Sequence, residues 1–211
     1  MVTKSKILSL LITLGIITSM MATCKKNECV GNSYSLQETW NITVEKDSIS
    51  VGDTLTFLSK FSNKPFDYKI NANIDFSGDA LVNTTFGVYE LKGGSSNMTS
   101  AIDSFKFLPI LGRVETDPTT NPSALKQVFH EEFGTDYVLK FQIIALKKGI
   151  YTLGLSDGLA KRKRNNSCDD GAGIQYANSN TNNHIYFQEQ FYGTTNIPAN
   201  NRTHSYCFKV K

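Results

Sequence analysis

Residues 136–146 read DYVLKFQIIAL, a segment in which every second residue from Tyr137 onward is apolar, so that a strand formed by it would have one apolar face. The residues of that face are Tyr137, Leu139, Phe141 and Ile143. Alternation with a period of two is the pattern of a β-strand that buries one of its faces. The residues that follow, Lys147–Lys148–Gly149, predict a tight hairpin turn into a second alternating segment, GIYTLGLSD at 149–157.

The same alternation recurs through the rest of the chain. It is seen in WNITV at 40–44, DSISVGDTLTFLSKF at 47–61, PFDYKINANIDF at 65–76, SFKFLPILG at 104–112 and SYCFKVK at 205–211. About seven or eight short strands separated by turn residues predict one antiparallel β-sandwich, Ig-like in size. We expect this domain to span residues 34–211.

Two segments depart from the strand pattern. TTNPSALKQVFHEEFG at 119–134 predicts one short inserted helix, because Pro122 suits a first helical turn and Gly134 suits a helix end. Its apolar stripe, which we expect to cover the sandwich, consists of Leu125, Val128, Phe129 and Phe133. NNHIYFQEQFYG at 182–193 fits either a short helix or an edge strand, and the helix is slightly favoured.

The N-terminus has the pattern of an export signal. MVTKSK is basic, and the apolar run at 7–21 that follows it is shorter than the roughly 20 residues of a membrane span. The tetrapeptide Met21–Ala22–Thr23–Cys24 resembles the lipobox of bacterial lipoproteins. This resemblance implies a signal peptide at 1–23, a lipid on the thiol of Cys24 and a polar tether at 24–33. The alternative is an ordinary signal peptide, with Cys24 as a disulfide partner.

The remaining cysteines are Cys29, Cys168 and Cys207. Export to an oxidising compartment favours one disulfide among them. We expect a Cys168–Cys207 bond, because it would close the least regular stretch of the chain and so restrict the unfolded state. The alternative is a Cys29–Cys207 bond.

Composition and motifs exclude several functions. Without residues 1–23 the chain has 20 basic and 19 acidic residues, so nucleic acid is not an expected partner. GLSDG at 154–158 fits the nucleophile elbow of hydrolases, but no apolar helical stripe follows Ser156. Glu131 and Glu132 are adjacent and make a poor acid–base pair. We therefore assign no catalytic residue, no metal site and no cofactor.

The whole pattern resembles small lipoproteins of the Bacteroidota. The resemblance rests on the lipobox, the tether, VEKDSISVGDTLTF at 44–57, Asn183–His184 and the closing YCFKVK. It implies a lipid-anchored envelope protein, in the outer membrane, and many proteins of that group have no assigned activity. It also implies candidate O-glycosylation at Ser48 and Thr54, which follow Asp47 and Asp53. Lys25 and Lys26 depart from the acidic residues common after the lipidated cysteine, so the periplasmic and outer faces both stay open.

The expected function is a non-catalytic binding or interaction module for a glycan or a protein partner. The candidate ligand surface consists of aromatic residues near an Asn-rich insertion, namely Tyr176, Tyr186, Phe191 and Tyr192. Aromatic faces beside amide side chains suit sugar rings, but the same residues could pack this insertion onto the sheet. The alternative function is an envelope hydrolase, for which Ser156 is the main support.

Overall fold

The computed structural model describes residues 31–78, 80–92, 98–116, 124–163, 168–192 and 204–211. The chain divides into two compact units, Met1–Val30 and Gly31–Lys211, and every described residue belongs to the second. The predicted signal peptide and Cys24 therefore lie outside the described residues. Within those ranges, no helix is both long and apolar enough to cross a lipid bilayer.

The described unit is built almost entirely of strands. In chain order they are β1 (Ser33–Thr43), β2 (Ser48–Ile49), β3 (Thr54–Ser62), β4 (Phe66–Asp67), β5 (Ala72–Asn73), β6 (Leu81–Glu90), β7 (Thr99–Ser100), β8 (Phe105–Leu111), β9 (Arg113–Thr116), β10 (Lys126–Phe133), β11 (Asp136–Ala145), β12 (Gly149–Leu155), β13 (Gly158–Lys163), β14 (Asp169–Asn178) and β15 (Ser205–Val210). A short 3-10 turn, Ile102–Ser104, precedes β8, and helix α1 (Tyr186–Tyr192) precedes β15. The predicted all-β sandwich is confirmed.

Strand pairing runs around the sandwich in a closed circuit. The order is β6, β13, β14, β1, β3, β11 and β10, and a direct pairing of β10 with β6 completes the ring. Strands β12, β15 and β2 extend from β6, with β12 pairing directly with it. Two of the pairings, β1 with β14 and β15 with β2, are parallel, so the sheet is mixed rather than wholly antiparallel.

The alternating faces meet in an aromatic core. The rings of Phe57 and Trp40 stack with centroids 5.2 Å apart, and those of Phe57 and Phe141 stack at 4.7 Å. Phe86 meets both phenylalanines edge-on, at 5.3 and 5.0 Å. The predicted buried face of DYVLKFQIIAL is confirmed, since each of its four apolar residues is at most 1% exposed. Burial of this apolar area is the main stabilising contribution to such a fold.

The helix predicted at 119–134 is wrong in its described part. Residues Lys126–Phe133 form β10, which pairs with β6, β9 and β11. The supposed helical stripe is divided between two faces, because Val128 is buried whereas Phe133 is 67% exposed. Pairing on both edges outweighs a weak helical preference here. The only α-helix in the described ranges is α1, where the sequence slightly favoured a helix.

The hairpin predicted at Lys147–Lys148–Gly149 is also wrong. The preceding strand, β11, pairs with β3, β8 and β10, whereas the following strand, β12, pairs with β6 and β15. The segment is therefore a connection between distant strands. Alternation identifies a strand, but it does not identify the strand's neighbours.

Cys207 is a buried free thiol, so the predicted Cys168–Cys207 disulfide is wrong, and so is the Cys29–Cys207 alternative. Alternation correctly places Cys207 on the face of β15 opposite Tyr206 and Phe208. That face is covered as well, since Cys207 is fully buried. Burial raises the pKa of the thiol to about 11. Cys168 is disulfide-bonded.

Candidate binding groove

A small hairpin, formed by β4 and β5, is attached to β1 through one carboxylate. Asp67 is fully buried and accepts a hydrogen bond from the Ser35 amide at 2.9 Å. It also accepts from the amides of Lys69 at 2.6 Å and Ile70 at 3.0 Å. Burial alone would raise the pKa of Asp67, but these three hydrogen bonds and nearby Lys69 hold it below its usual value. Asp67 therefore fixes the hairpin's position on the sheet.

The hairpin presents apolar side chains to solvent. Phe66 is 39% exposed, Tyr68 is 59% exposed and Ile70 is 52% exposed, and the first two rings meet edge-on at 5.1 Å. The alternating pattern at 65–76 predicted that these residues share a strand face, which the structure does not show. They lie instead on and just after the two-residue strand β4, at the surface.

A groove of about 310 Å³ lies over the paired stretch of β1 and β14. Its walls combine amide, carboxylate, imidazole and aromatic groups. The lining residues are Gln37, Glu38, Thr39, Tyr68, Gln175, Tyr176, Ala177 and His204. Its volume is at the lower end of the range for small-ligand sites, which fits a single side chain or sugar unit.

Glu38 is the unusual member of this groove. Alternation along β1 places it on the same face as Leu36 and Trp40, which are both buried in the core. Its carboxylate has no hydrogen-bond or salt-bridge partner among the described residues. Burial accordingly raises the pKa of Glu38 to about 7.

Tyr176 lies directly beside Glu38, since the two residues pair in the parallel register of β1 and β14. Its ring stacks on the imidazole of His130, with centroids 5.8 Å apart. Burial lowers the pKa of His130 to about 3, and its Nε2 lies 3.1 Å from Ser59 Oγ. The Tyr176 hydroxyl and His130 Nδ1 have no hydrogen-bond partner in the described part of the chain. A polar cluster therefore extends from the groove into the core.

The GLSDG motif forms a β-bulge. Leu155 at the end of β12 pairs with Phe86, and Leu159 in β13 pairs with Asn83. The chain therefore advances by four residues from β12 to β13 where β6 advances by three, which is the pattern of a bulge. The Ser156 amide donates to the carbonyl of Thr85 at 2.9 Å. The chain then continues as β13, so Ser156 does not precede a helix as it would in a nucleophile elbow.

A second groove, of about 190 Å³, lies beside this bulge. Gly87 and Gly154 are paired in register and form part of its lining. Ser156 and His204 also line it, so His204 is shared by the two grooves. Ser156 and His204 are 48 positions apart in the sequence, and no sequence pattern indicated that they would line the same groove.

The predicted ligand surface is not a single exposed patch. Tyr176 is fully buried, so its assignment to the surface is wrong, because alternation in β14 places it on the core face. Tyr186 is 38% exposed and lies 3.2 Å from Asp47 through its hydroxyl, and Phe191 is half-buried. The side chain of Tyr192 lies outside the described residues. Glu38, Tyr68 and His204 were missed, because nothing in the local sequence pattern marks them as neighbours.

The candidate O-glycosylation sites lie on two consecutive strands of the chain, which do not pair with each other. Thr54 is exposed at the start of β3, and Ser48 is half-buried in β2. The Ser48 hydroxyl lies 3.1 Å from an Asp47 carboxylate oxygen. Modification of either residue stays a prediction.

Comparisons with known proteins give only distant similarities. No family model and no curated protein matches the chain. A cohesin module of a Clostridium perfringens family 33 glycoside hydrolase is 12% identical, with 67% of this chain and 98% of that chain covered and a TM-score of 0.30. A type II cohesin domain from the Acetivibrio cellulolyticus cellulosome is 11% identical, covers 66% and 91%, and has a TM-score of 0.33. A chain described as BspA_C_mut is 11% identical, with coverages of 66% and 52% and a TM-score of 0.27. At TM-scores this low, the similarities support no conclusion about this chain.

Proposed function

We propose that the protein is a lipid-anchored component of the cell envelope and that its β-sandwich is a non-catalytic binding module. The observation that supports the binding role is the groove over β1 and β14. It gathers Glu38, Tyr68 and His204 from three separate segments, and none of the three is needed to fill the aromatic core. A groove that combines polar groups with an exposed ring suits recognition of a protein side chain or a sugar.

The exposed ring of Tyr68 provides the most direct test of this role. The mature chain, made with Cys24→Ala so that it is soluble, would be screened on a glycan array and against peptide libraries. We expect Tyr68→Ala to weaken any specific binding by about tenfold, since aromatic contacts contribute about 1 to 3 kcal/mol at binding surfaces.

Phe133→Ala is the control, because Phe133 is also an exposed aromatic residue but does not line this groove. Equal losses in the two variants would argue against the groove as the binding surface. If neither library yields a ligand that contacts the groove, the proposed binding role fails.

The anchor is proposed from the sequence alone. The lipobox-like residues 21–24 support diacylglyceryl attachment at Cys24, with the outer membrane as the proposed location. Two or three acyl chains hold a protein on a bilayer stably, because each buried methylene contributes about 0.8 kcal/mol.

Metabolic labelling with an alkyne-bearing fatty acid tests this anchor. We expect label on the wild-type protein and none on Cys24→Ala, because the modified thiol is then absent. Cys29→Ala is the control and should keep its label. Equal labelling of wild type and Cys24→Ala, or no label on either, would rule out the anchor.

An envelope hydrolase is the second candidate, because Ser156 and His204 line the same groove of about 190 Å³. An ester and glycoside substrate screen tests it. Turnover by the wild type that is abolished in both Ser156→Ala and His204→Ala would replace the binding proposal. Turnover that survives both changes would exclude this site.

A further inference from the structure

We propose that the groove over β1 and β14 binds a lysine or arginine side chain of a partner protein, with the cation placed against the Glu38 carboxylate. This inference rests on the binding role proposed above and names the chemistry of the partner. It begins from the position of Glu38, an acid on the core-facing side of β1 that also lines an open groove.

Tyr176 on β14 is paired in register with Glu38, and burial together with the charge of Glu38 raises the pKa of the Tyr176 hydroxyl. The other ionisable groups on the elements packed around Glu38 include Tyr34 on β1, Lys60 on β3, Asp67, Tyr68 and Lys69 on the hairpin, His130 behind Tyr176, Asp169 and Asp170 at the start of β14, and His204 at the edge of the groove. Lys60 forms an ion pair with Asp136. The charge of Lys69 acts on Asp67. No described lysine or arginine forms an ion pair with Glu38, so the described residues leave this carboxylate without a cationic partner.

A carboxylate withdrawn from water and left unpaired is unfavourable in its charged form, and a cation within about 4 to 6 Å restores that form. Burial accordingly raises the pKa of Glu38 to about 7, whereas a bound cation would lower it. An occupant of the groove that carries a positive charge would therefore bind best to the ionised state.

The position of Glu38 favours a side chain over an amino sugar. Glu38 is half-buried on the face of β1 that carries Leu36 and Trp40, so its carboxylate is partly withdrawn from solvent. A lysine or arginine carries its charge at the end of a long, flexible, apolar stem. The stem can extend into a narrow groove while the charged end contacts polar groups. An amine attached directly to a sugar ring cannot reach as far. The exposed ring of Tyr68 provides an aromatic face for the same cation.

The exposed apolar side chains of the β4–β5 hairpin also favour a polypeptide partner. Phe66 and Ile70 lie beside Tyr68 on the hairpin, and all three are more than a third exposed. Aromatic and aliphatic residues around a single charged contact are typical of the centre of a protein–protein interface. We therefore favour a polypeptide over an amino-sugar polymer.

The test uses short blocked peptides and the mature full-length protein purified with its anchor in detergent micelles. The cationic probes are Ac-Gly-Arg-Gly-NH₂ and Ac-Gly-Lys-Gly-NH₂, and Ac-Gly-Gln-Gly-NH₂ is the neutral probe. Binding is measured by chemical-shift perturbation of groove residues. We expect the cationic peptides to perturb residues 37–39 and 175–177 at millimolar concentration, at least tenfold more strongly than the neutral peptide.

Glu38→Gln should reduce cation affinity at least tenfold, and Glu115→Gln should not. The control removes the same charge from an exposed residue of β9 outside the groove. Wild-type affinity should rise about fivefold from pH 6 to pH 7 and about tenfold from pH 6 to pH 8, and then approach a plateau, because only the ionised carboxylate binds the cation. The Glu38→Gln variant should lose this pH dependence.

Thermal unfolding of Glu38→Gln beside the wild type establishes whether the variant still folds. Because the pKa of Glu38 is raised on folding, the folded state holds more protons between about pH 4.5 and 7. Its stability therefore falls as the pH rises through that window. Glu38→Gln should remove this dependence and unfold at a higher temperature than the wild type at pH 8.

Two results would overturn the inference. One is equal cation affinity in wild type and Glu38→Gln, and the other is affinity that does not change between pH 6 and pH 8. The glycan probes are triacetylchitotriose and its deacetylated form, (GlcN)₃. If either of them perturbs the groove and the cationic peptides do not, the proposed binding module stands but its partner is a glycan. If none of these probes perturbs the groove, the cation-binding inference fails, and the library screen with Tyr68→Ala decides the binding role separately.

Discussion

Phe57→Ala should lower the free energy of unfolding by about 3 to 5 kcal/mol, the usual cost of truncating a fully buried phenylalanine. Phe57 is fully buried, and its ring contacts those of Trp40, Phe86 and Phe141. Alanine would leave a cavity in the aromatic core between β1, β3, β6 and β11, the strands that carry these four rings. The loss is measured by urea unfolding, followed through Trp40, which is the only tryptophan in the sequence.

Phe133→Ala is the matched control for this change, because Phe133 is 67% exposed at the end of β10. We expect its effect to be within about 0.5 kcal/mol of zero, as for most surface substitutions. Similar losses in the two variants would show that the core does not centre on Phe57. Phe57→Leu, which keeps most of the volume, should give an intermediate loss.

Gly112→Ala should lower stability by about 3 kcal/mol, and here the cause is the backbone. Gly112 lies between β8 and β9 with φ of +80°, a conformation that L-residues rarely adopt. An added Cβ would also lie 2.4 Å from the carbonyl oxygen of Phe129, a backbone atom that cannot rotate away. Strain and steric overlap therefore add at this position.

Gly134→Ala separates those two contributions. Gly134 also has positive φ, +65°, but an added Cβ would meet nothing within 4 Å. We expect a loss of about 1 to 2 kcal/mol, from the backbone conformation alone. Thermal unfolding of the two variants side by side gives the comparison. A loss at Gly134 as large as that at Gly112 would mean that the contact with Phe129 contributes nothing.

The strands could be predicted from the sequence because burial on one face leaves a local, repeating signal. Tyr151, Leu153 and Leu155 are all buried, as alternation predicts, and so are Tyr206, Phe208 and Val210. The signal fails where both faces of a strand are partly buried. In β10 both Val128 and Phe129 are buried, so the period of two is lost and a helical spacing is imitated.

The groove could not be predicted, because its residues come from segments with no local relationship. Glu38 interrupts an otherwise apolar face of β1, which from sequence alone looks like an ordinary surface acid. Its neighbour Tyr176 is 138 residues away, brought alongside by a parallel pairing that alternation cannot reveal. Tyr68 was noted, but it was assigned to a longer regular strand. Its exposure depends on the hydrogen bonds that Asp67 accepts.

The pairing of β10 with β6 limits how a partner can attach. The backbone amides and carbonyls of the strands in the ring are hydrogen-bonded to neighbouring strands of the same ring. Within the described residues, the ring therefore has little open edge with which a strand of another protein could pair. An incoming polypeptide that relied on extending the sheet would find few unsatisfied main-chain groups there. Recognition is thereby shifted to side chains, and a single substitution on the surface can alter it while the architecture stays intact.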